Sequence, residues 1–151
     1  MTHVAYEADG WGVGELWLEG PQLVWHELPR PAKAPRDERR HELAERICAY
    51  FEGADDDFSD VEIDLDWCTP LQREMADALR AVPRGQTVTY GELAALAGRP
   101  TAPRAAGAFC ASNRYGLVIP CHRVVAAGGL GPYGSLGQDY KRRLLELEGA
   151  L

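Results

Sequence analysis

The feature that most constrains the fold of this chain is a change of pattern near residue 68. Before it, the segments HVAYEA, VGELWLE and LVWHEL alternate or cluster β-branched and aromatic residues, and the turn sequences DGWG and EGPQ separate them. After it, the chain has the apolar spacing and capping residues of short helices. The pattern predicts an α+β protein: a small antiparallel-sheet and helix domain over 1–67, then a mostly helical domain over 68–151.

Two more elements are predicted in the first domain. The sequence DERRHELAERICAYF over 37–51 predicts a helix with Asp37 as its N-cap and an apolar stripe that includes Leu43 and Ile47. The sequence VEIDLDW over 61–67 alternates apolar and acidic residues, which predicts a half-buried strand.

The second domain opens and closes with predicted helices. In TPLQREMADALRAVPRG, Thr69 suits an N-cap and Pro70 suits the first helical position. The last predicted helix is QDYKRRLLELEGAL. Its apolar side is predicted to consist of Leu144, Leu145, Leu147 and Leu151.

Two short helices between these predict a helix-turn-helix. TYGELAALAG over 89–98 ends at Gly98, and RPTAPRAAGAFCASN over 99–113 restarts with Thr101 as cap and Pro103 in the first turn. The second helix is rich in alanine and glycine, with Arg104 at its beginning. Small side chains suit a helix that enters a DNA groove, and they equally suit tight packing of one helix on another.

The charge is divided unevenly along the chain. Residues 1–68 contain 6 Lys and Arg against 17 Asp and Glu, and residues 69–151 contain 10 against 6, so the net charges are −11 and +4. A basic half within an acidic chain favours a nucleic-acid surface on that half alone, although a solvated acidic face would give the same numbers. No long apolar run suggests a signal peptide or a membrane span, so a cytoplasmic protein, nucleoid-associated when bound to DNA, is expected.

The sequence IPCHRVVAAGG over 119–129 is the strongest candidate for chemistry. A thiol needs a base or a positive field to become a nucleophile at neutral pH, and His122 directly follows Cys121. Neighbours on an extended segment point to opposite sides, so a bridging water is the easier link between them. Glu146 and Glu148 on the last helix are the carboxylates available to orient the histidine. The cysteines and histidines lack the spacing of a metal site, and we expect neither a metal nor a cofactor.

An ordered set of motifs carries a family resemblance over about 67–149. TPLQ, VPRGQTVTYGELAALAGRP, RAAGAFCASN, IPCHRVV, a glycine loop with a tyrosine, and LLELEG together resemble the O6-alkylguanine-DNA alkyltransferases. The resemblance implies an enzyme that acts once, a methylated-DNA–protein-cysteine S-methyltransferase. It implies that Cys121 attacks the alkyl carbon on guanine O6, that His122 acts as a base through a water, and that Glu148 orients His122.

The resemblance also implies roles for further residues. Asn113 would brace the active-site turn, Tyr90 would crowd the target phosphate and protonate the leaving guanine, and Arg104 would replace the flipped base in the stack. The implied DNA-contact residues are Tyr90, Arg104, Ala105, Ala108, Arg114 and Arg123. The implied pocket residues are Val124, Tyr133, Gly134 and Ser135.

The implied partner is double-stranded DNA that contains O6-alkylguanine, with O4-alkylthymine as a minor substrate, bound by a monomer with no membrane contact. A ribonuclease-H-like fold is implied for 1–67, and a winged-helix-like DNA-binding domain with a helix-turn-helix is implied for 68–151. Three other classes fit parts of the sequence: an alkyltransferase-like protein that binds the lesion without transfer, a helix-turn-helix regulator without chemistry, and another thiol enzyme. Because the loop from Tyr133 to Glu148 is one residue longer than the family usually has, the preferred alkyl size stays open.

Overall fold

A computed structural model describes residues 1–31 and 40–151 of the chain. Contacts between residues divide the chain into two compact units. Unit 1 contains Met1–Asp64 and Arg114–Gly116, and unit 2 contains Leu65–Asn113 and Leu117–Leu151. Among the described residues, no helix is long and apolar enough to cross a membrane.

Unit 1 is built on the predicted antiparallel sheet. Strands β1 (Thr2–Ala8), β2 (Gly12–Glu19) and β3 (Gln22–Arg30) pair in that order. Leu16 lies opposite Val4 on one side and opposite His26 on the other, and all three are buried. The alternation seen in the sequence therefore marks the face that the sheet turns toward the core of its unit.

Helix α1 (Glu42–Phe51) covers part of that core, with Leu43 and Ile47 buried as predicted. Its N-cap is His41, whose ring accepts a hydrogen bond from the Leu43 backbone N–H at 3.1 Å. This corrects the predicted start of the helix, because the backbone of His41 is extended rather than helical. Asp37, the predicted cap, lies outside the described residues.

The strand predicted over 61–67 is wrong. This stretch makes one parallel bridge, Leu23 with Ile63, where the Leu23 N–H donates to Glu62 O and the Asp64 N–H donates to Leu23 O. A turn follows, in which the Cys68 N–H donates to Leu65 O. The alternation of apolar and acidic residues thus reflects one buried side chain, Ile63. The turn that follows prevents further backbone pairing with β3.

Unit 2 begins with helix α2 (Pro70–Arg80), which has the predicted cap. Thr69 and Gln72 form a capping box, and Pro70 occupies the first turn, where its missing N–H costs no hydrogen bond. Met75 and Leu79 are fully buried on its inner side. Two short strands, β4 (Val88–Thr89) and β5 (Val124–Val125), pair in parallel. The pairing places residues 88–89 beside the segment that directly follows Cys121, His122 and Arg123.

Helices α3 (Tyr90–Leu96) and α4 (Pro103–Ser112) are the predicted pair. Gly98 has φ of +78° and ends α3: its N–H donates to Ala95 O, and the next N–H donates to Ala94 O. The predicted cap of α4 at Thr101 is wrong. Since Pro103 is the first helical residue, the cap position falls on Ala102, which makes no side-chain capping bond.

Helix α5 (Gln138–Leu147) closes unit 2. Leu144 and Leu145 are fully buried, as predicted, whereas Leu151 is 57% exposed. The prediction for Leu151 is wrong because the helix ends at its C-cap, Glu148, three residues earlier. The inner side of α5 also carries Lys141, a residue that the apolar pattern did not include.

Candidate active site

Cys121 lies at the start of a single 3-10 turn, Cys121–Arg123, just before β5. The Arg123 N–H donates to Pro120 O at 2.9 Å, and the Cys121 N–H donates to Ile119 O at 2.8 Å. The extended backbone assumed for Cys121 and His122 is therefore wrong. Both residues are buried: Cys121 is 7% exposed and His122 is 0% exposed.

Asn113, the C-cap of α4, braces this turn. Its side-chain amide donates to Ile119 O at 2.8 Å and to Cys121 Sγ at 3.1 Å. The backbone carbonyl oxygen of Ile119 can only accept a hydrogen bond, so the side chain of Asn113 must turn its amide nitrogen toward it. The end of α4 is thus joined directly to the sulfur.

The resting thiol is protonated at neutral pH. Burial raises the pKa of Cys121 above its ordinary value. The hydrogen bond from Asn113 and the charge of Lys141 act to lower that pKa, without cancelling the effect of burial. A buried thiol of this kind reacts only when a neighbouring group takes its proton.

His122 is held by a buried carboxylate. Its Nε2 lies 2.9 Å from Glu148 Oε2, and both side chains are fully buried. Because a carboxylate accepts, Nε2 carries the hydrogen and Nδ1 is the nitrogen with a free lone pair. Among the described residues, Nδ1 has no hydrogen-bond partner. Burial lowers the pKa of His122, and Glu148 opposes that shift, so the ring is neutral at pH 7 and able to accept a proton.

Arg123 completes this buried network and corrects a prediction. Its Nε and Nη2 donate to the two carboxylate oxygens of Glu148 at 2.9 and 2.8 Å, and its Nη1 donates to Val82 O at 2.8 Å. Its side chain is 6% exposed. The DNA contact implied for Arg123 does not fit this burial; the guanidinium instead holds the carboxylate that holds His122.

Tyr90, the first residue of α3, lies against the loop before α5. Burial raises the pKa of Tyr90, and negative charge on Cys110 or Cys121 would raise it further, so the hydroxyl is protonated at pH 7. A Cβ built on Gly131, whose φ is +77°, would lie 3.2 Å from the Tyr90 hydroxyl. The loop approaches this tyrosine so closely that glycine suits the position.

The other implied pocket residues occupy the same loop and strand β5. Val124 is fully buried and pairs with Val88, whereas Gly134 and Ser135 are exposed. Tyr133 makes a backbone bridge with Ser135, and its ring lies 6.3 Å from that of Tyr140. Their contact with a bound guanine stays a prediction.

The implied DNA-contact residues divide between the units. On α4 of unit 2, Arg104 and Ala108 are exposed and Ala105 is half-buried, so this face of the helix is open to solvent. Arg114 belongs to unit 1, where its guanidinium lies 5.4 Å from the centroid of the Trp25 ring. Whether these residues contact DNA stays a prediction.

The sequence analysis missed Lys141. Its Nζ donates to Pro132 O at 3.3 Å and lies 6.0 Å from the centroid of the Tyr90 ring. The available signal was the helical spacing, since residues 141, 144, 145 and 148 lie on one face of α5. A lysine at the first of these positions must lie on the buried side.

Comparisons with known proteins match this chain to a single family. The family model described as 6-O-methylguanine DNA methyltransferase, DNA binding domain, matches residues 70–150. The methylated-DNA–protein-cysteine methyltransferase of Methanopyrus kandleri is 42% identical over 126 residues, which cover 82% of this chain and 93% of that protein. The protein of the same name from Mycolicibacterium paratuberculosis is 44% identical over 131 residues, which cover 86% of this chain and 73% of the relative.

A solved structure gives the same result over nearly the full length. The structure of Mycobacterium tuberculosis OGT in complex with DNA matches with a TM-score of 0.79 and 32% identity, covering 98% of this chain and 92% of that chain. Residues 70–150, which the family model matches, include the buried cysteine turn, the helix pair and α5. The chain belongs to the methylated-DNA–protein-cysteine methyltransferase family.

Proposed function

We propose that this chain repairs O6-alkylguanine in duplex DNA by moving the alkyl group to Sγ of its own Cys121, once per protein molecule. The observation that carries the proposal is the buried pairing of His122 Nε2 with Glu148 Oε2, 2.9 Å apart. With Nε2 committed to Glu148, the free lone pair of Nδ1 is the base available to the buried thiol.

The chemistry balances without a cofactor. The thiol proton passes through a bridging water to Nδ1 of His122, and the resulting imidazolium is stabilised by Glu148. The sulfur attacks the alkyl carbon, so that an S–C bond forms while the C–O6 bond breaks and its electron pair stays with guanine. The hydroxyl of Tyr90 donates a proton to the leaving base, and the proton held by His122 then passes through water to restore the Tyr90 hydroxyl. A thioether is stable, so the thiol is not regenerated and each molecule acts once.

Access to the lesion requires that the base leave the duplex. Extrusion costs on the order of a few kcal/mol, because the base loses its stacking and pairing. An inserted side chain can compensate part of that cost. Arg104 is the long, exposed side chain at the start of α4, and its small neighbours let the helix approach the groove closely. We propose that the chain acts as a monomer, in the cytoplasm and on the nucleoid.

Transfer is tested by the intact mass of the protein after it is mixed with a duplex that carries one O6-methylguanine, followed by peptide mapping. We expect one methyl group on the Cys121 peptide and no further gain. Cys121→Ser should bind the duplex and gain nothing, whereas the control Cys68→Ser should gain one methyl. A wild-type protein that binds the duplex and gains no methyl would establish the lesion-binding alternative instead.

The role of Arg104 is tested by comparing two substrates. Arg104→Ala should slow transfer from the duplex more than transfer from the free O6-methylguanine base, because only the duplex requires extrusion. Arg73→Ala, on the exposed side of α2, is the control. Equal slowing with both substrates would contradict the wedge. Duplex affinity should also fall as salt rises, since phosphate contacts dominate such binding.

A further inference from the structure

The outer face of the unit 1 sheet carries a row of aromatic rings. His3 on β1, Trp17 on β2 and Trp25 on β3 are paired in register, so their side chains form one line across the three strands. The ring centroids of His3 and Trp17 lie 4.8 Å apart. Trp25 is 40% exposed, although tryptophan is a highly buried residue on average. We call these three residues the aromatic row.

Two carboxylates lie beside the aromatic row. Glu15 and Glu27 are directly opposite each other on β2 and β3, and each is two residues from a tryptophan of the row on its own strand. Glu15 Oε1 lies 3.6 Å from His3 Nε2, and the Nε1–H of Trp25 donates to Glu27 Oε1 at 2.9 Å. Among the described residues, no lysine or arginine forms a salt bridge with either carboxylate. Like charges in register are unfavourable in a sheet, so this face keeps them together at a cost that a cation would remove.

The side chain of Arg114 shows which kind of group the row receives. Its guanidinium lies 5.4 Å from the centroid of the Trp25 ring, within the range at which an indole face attracts a cation. The backbone holds Arg114 at this place, because its carbonyl oxygen accepts from the His26 N–H at 2.9 Å. A guanidinium is planar, so it can stack on an indole and donate to a carboxylate at the same time. The chemistry of this face therefore favours arginine over lysine.

The charge of the surrounding chain favours a basic peptide over a nucleic acid. Residues 1–68 contain 6 Lys and Arg against 17 Asp and Glu, a net charge of −11. Aromatic rings beside an arginine can also stack with bases, but most nucleic-acid affinity comes from phosphates that basic side chains neutralise. Glu15 and Glu27 would repel those phosphates, and they would attract the cations of a basic peptide.

We propose that the aromatic row, together with Glu15 and Glu27, is a docking surface for an arginine-rich segment of a partner protein. One arginine of the partner stacks on the row, and its N–H groups bond the two opposed carboxylates. Exposed tryptophans of this kind are typical of the residues that supply most of the binding energy at an interface. All of these residues belong to unit 1, so the proposal goes beyond alkyl transfer and does not depend on it.

The test measures the binding of a fluorescent peptide in which arginines alternate with pairs of glycines, at physiological ionic strength. Two matched peptides carry lysine or glutamine in place of arginine. We expect the arginine peptide to bind more tightly than the lysine peptide, and the glutamine peptide not to bind. The indole N–H signals of the four tryptophans in an NMR titration locate the site. Those of Trp17 and Trp25 should shift, whereas those of Trp11, which is buried, and Trp67, which is in unit 2, should not.

Substitutions separate this surface from the general acidity of the unit. Trp25→Leu removes the ring, and Glu27→Gln removes a charge but keeps an acceptor for the indole N–H. Each should weaken binding of the arginine peptide by about three- to tenfold. Glu42→Gln removes the same charge from an exposed position on α1 of the same unit, and this matched control should bind like the wild type. If Trp25→Leu does not fold, Glu27→Gln and the indole shifts decide the result.

Four results would overturn the proposal. The first is equal weakening in Glu27→Gln and Glu42→Gln, which would reduce binding to net charge. The second is a titration that leaves the Trp17 and Trp25 signals unmoved. The third is a single-stranded oligonucleotide that shifts these signals and loses more affinity in Trp25→Leu than the arginine peptide does, which would make the face a nucleic-acid surface. The fourth is a wild-type dimer in sedimentation that Trp25→Leu dissociates, which would make the occupant a second copy of this chain.

Discussion

Each of the two units contains one fully buried histidine, and the two rings are used differently. In unit 1, His26 Nδ1 lies 2.8 Å from Gly116 O and its Nε2 lies 2.6 Å from the Tyr6 hydroxyl. The carbonyl fixes the hydrogen on Nδ1, so Nε2 accepts from the tyrosine. In unit 2, His122 donates from Nε2 to Glu148, and its other nitrogen has no partner among the described residues.

Burial alone does not distinguish these two histidines. It lowers the pKa of both rings, that of His26 to about 4, so both are neutral at pH 7. The two rings differ in whether the second ring nitrogen has a hydrogen-bond partner, and in whether a charged carboxylate contacts the ring. His26 has two neutral partners and nothing left to accept a proton, whereas His122 has a carboxylate that stabilises its charged form and an open lone pair. A buried histidine becomes a base when its bonds leave one nitrogen for the reaction.

The same substitution at both positions gives the largest expected contrast. His122→Gln should lower the rate of transfer by about 10²–10⁴-fold, because the base is lost while a donor for Glu148 remains. His26→Gln should leave the rate unchanged and lower the free energy of unfolding by about 1–3 kcal/mol, because buried partners lose their hydrogen bonds. Single-turnover rates and urea unfolding measure the two effects. Similar rate losses at both positions would contradict the distinction.

Two arginine–carboxylate clusters extend the comparison. Arg123→Met should lower the free energy of unfolding by about 3–5 kcal/mol, because it removes one partner of a buried pair and leaves Glu148 with less compensation. Arg46 in unit 1 pairs with Asp56 and with Asp60, whose side chain is 72% exposed, so Arg46→Met should cost much less. Denaturant unfolding of the two variants checks the order, and a larger loss at Arg46 would refute it.

Lowering the pH should lower the free energy of unfolding because of His26. In the unfolded chain this ring titrates near its ordinary pKa of 6.5, and in the folded protein near 4. Between these values the unfolded state binds more protons, so the free energy of unfolding falls as pH drops from 6.5 toward 4, by up to about 3 kcal/mol. His122 acts in the same direction. The difference in the pH dependence of the unfolding free energy between wild type and His26→Gln gives the contribution of His26. If the variant has the same pH dependence as wild type, His26 does not contribute.

The smallest effect is expected at Tyr6. Tyr6→Phe removes the hydroxyl that donates to His26 and should lower the free energy of unfolding by about 1 kcal/mol. The rate of alkyl transfer should stay at the wild-type value, because this hydrogen bond lies wholly within unit 1. Thermal unfolding and single-turnover transfer on the same preparation measure both. A slower transfer with unchanged stability would show that His26 affects the chemistry.

Local rules were sufficient for much of the fold. The three strands, the cap at Thr69 with Pro70, and the end of α3 at Gly98 depend on neighbours in the sequence, and each is found where the pattern predicted it. The errors occur where a local pattern had more than one solution. The alternation over 61–67 suited a strand, yet the stretch makes one bridge, and the cap of α4 moved to Ala102 because of Pro103.

The site divides in the same way. From the sequence alone, Cys121 and His122 are adjacent, Asn113 ends a helix, and Glu148 is a carboxylate within reach. Only the tertiary structure decides which nitrogen of His122 is free. It also decides that Arg123 turns inward to Glu148, 25 residues away, and that Lys141 is buried beside Tyr90. The physical reason is that capping and alternation involve groups a few residues apart, whereas the tautomer and the field at a thiol depend on which distant polar groups share its buried space.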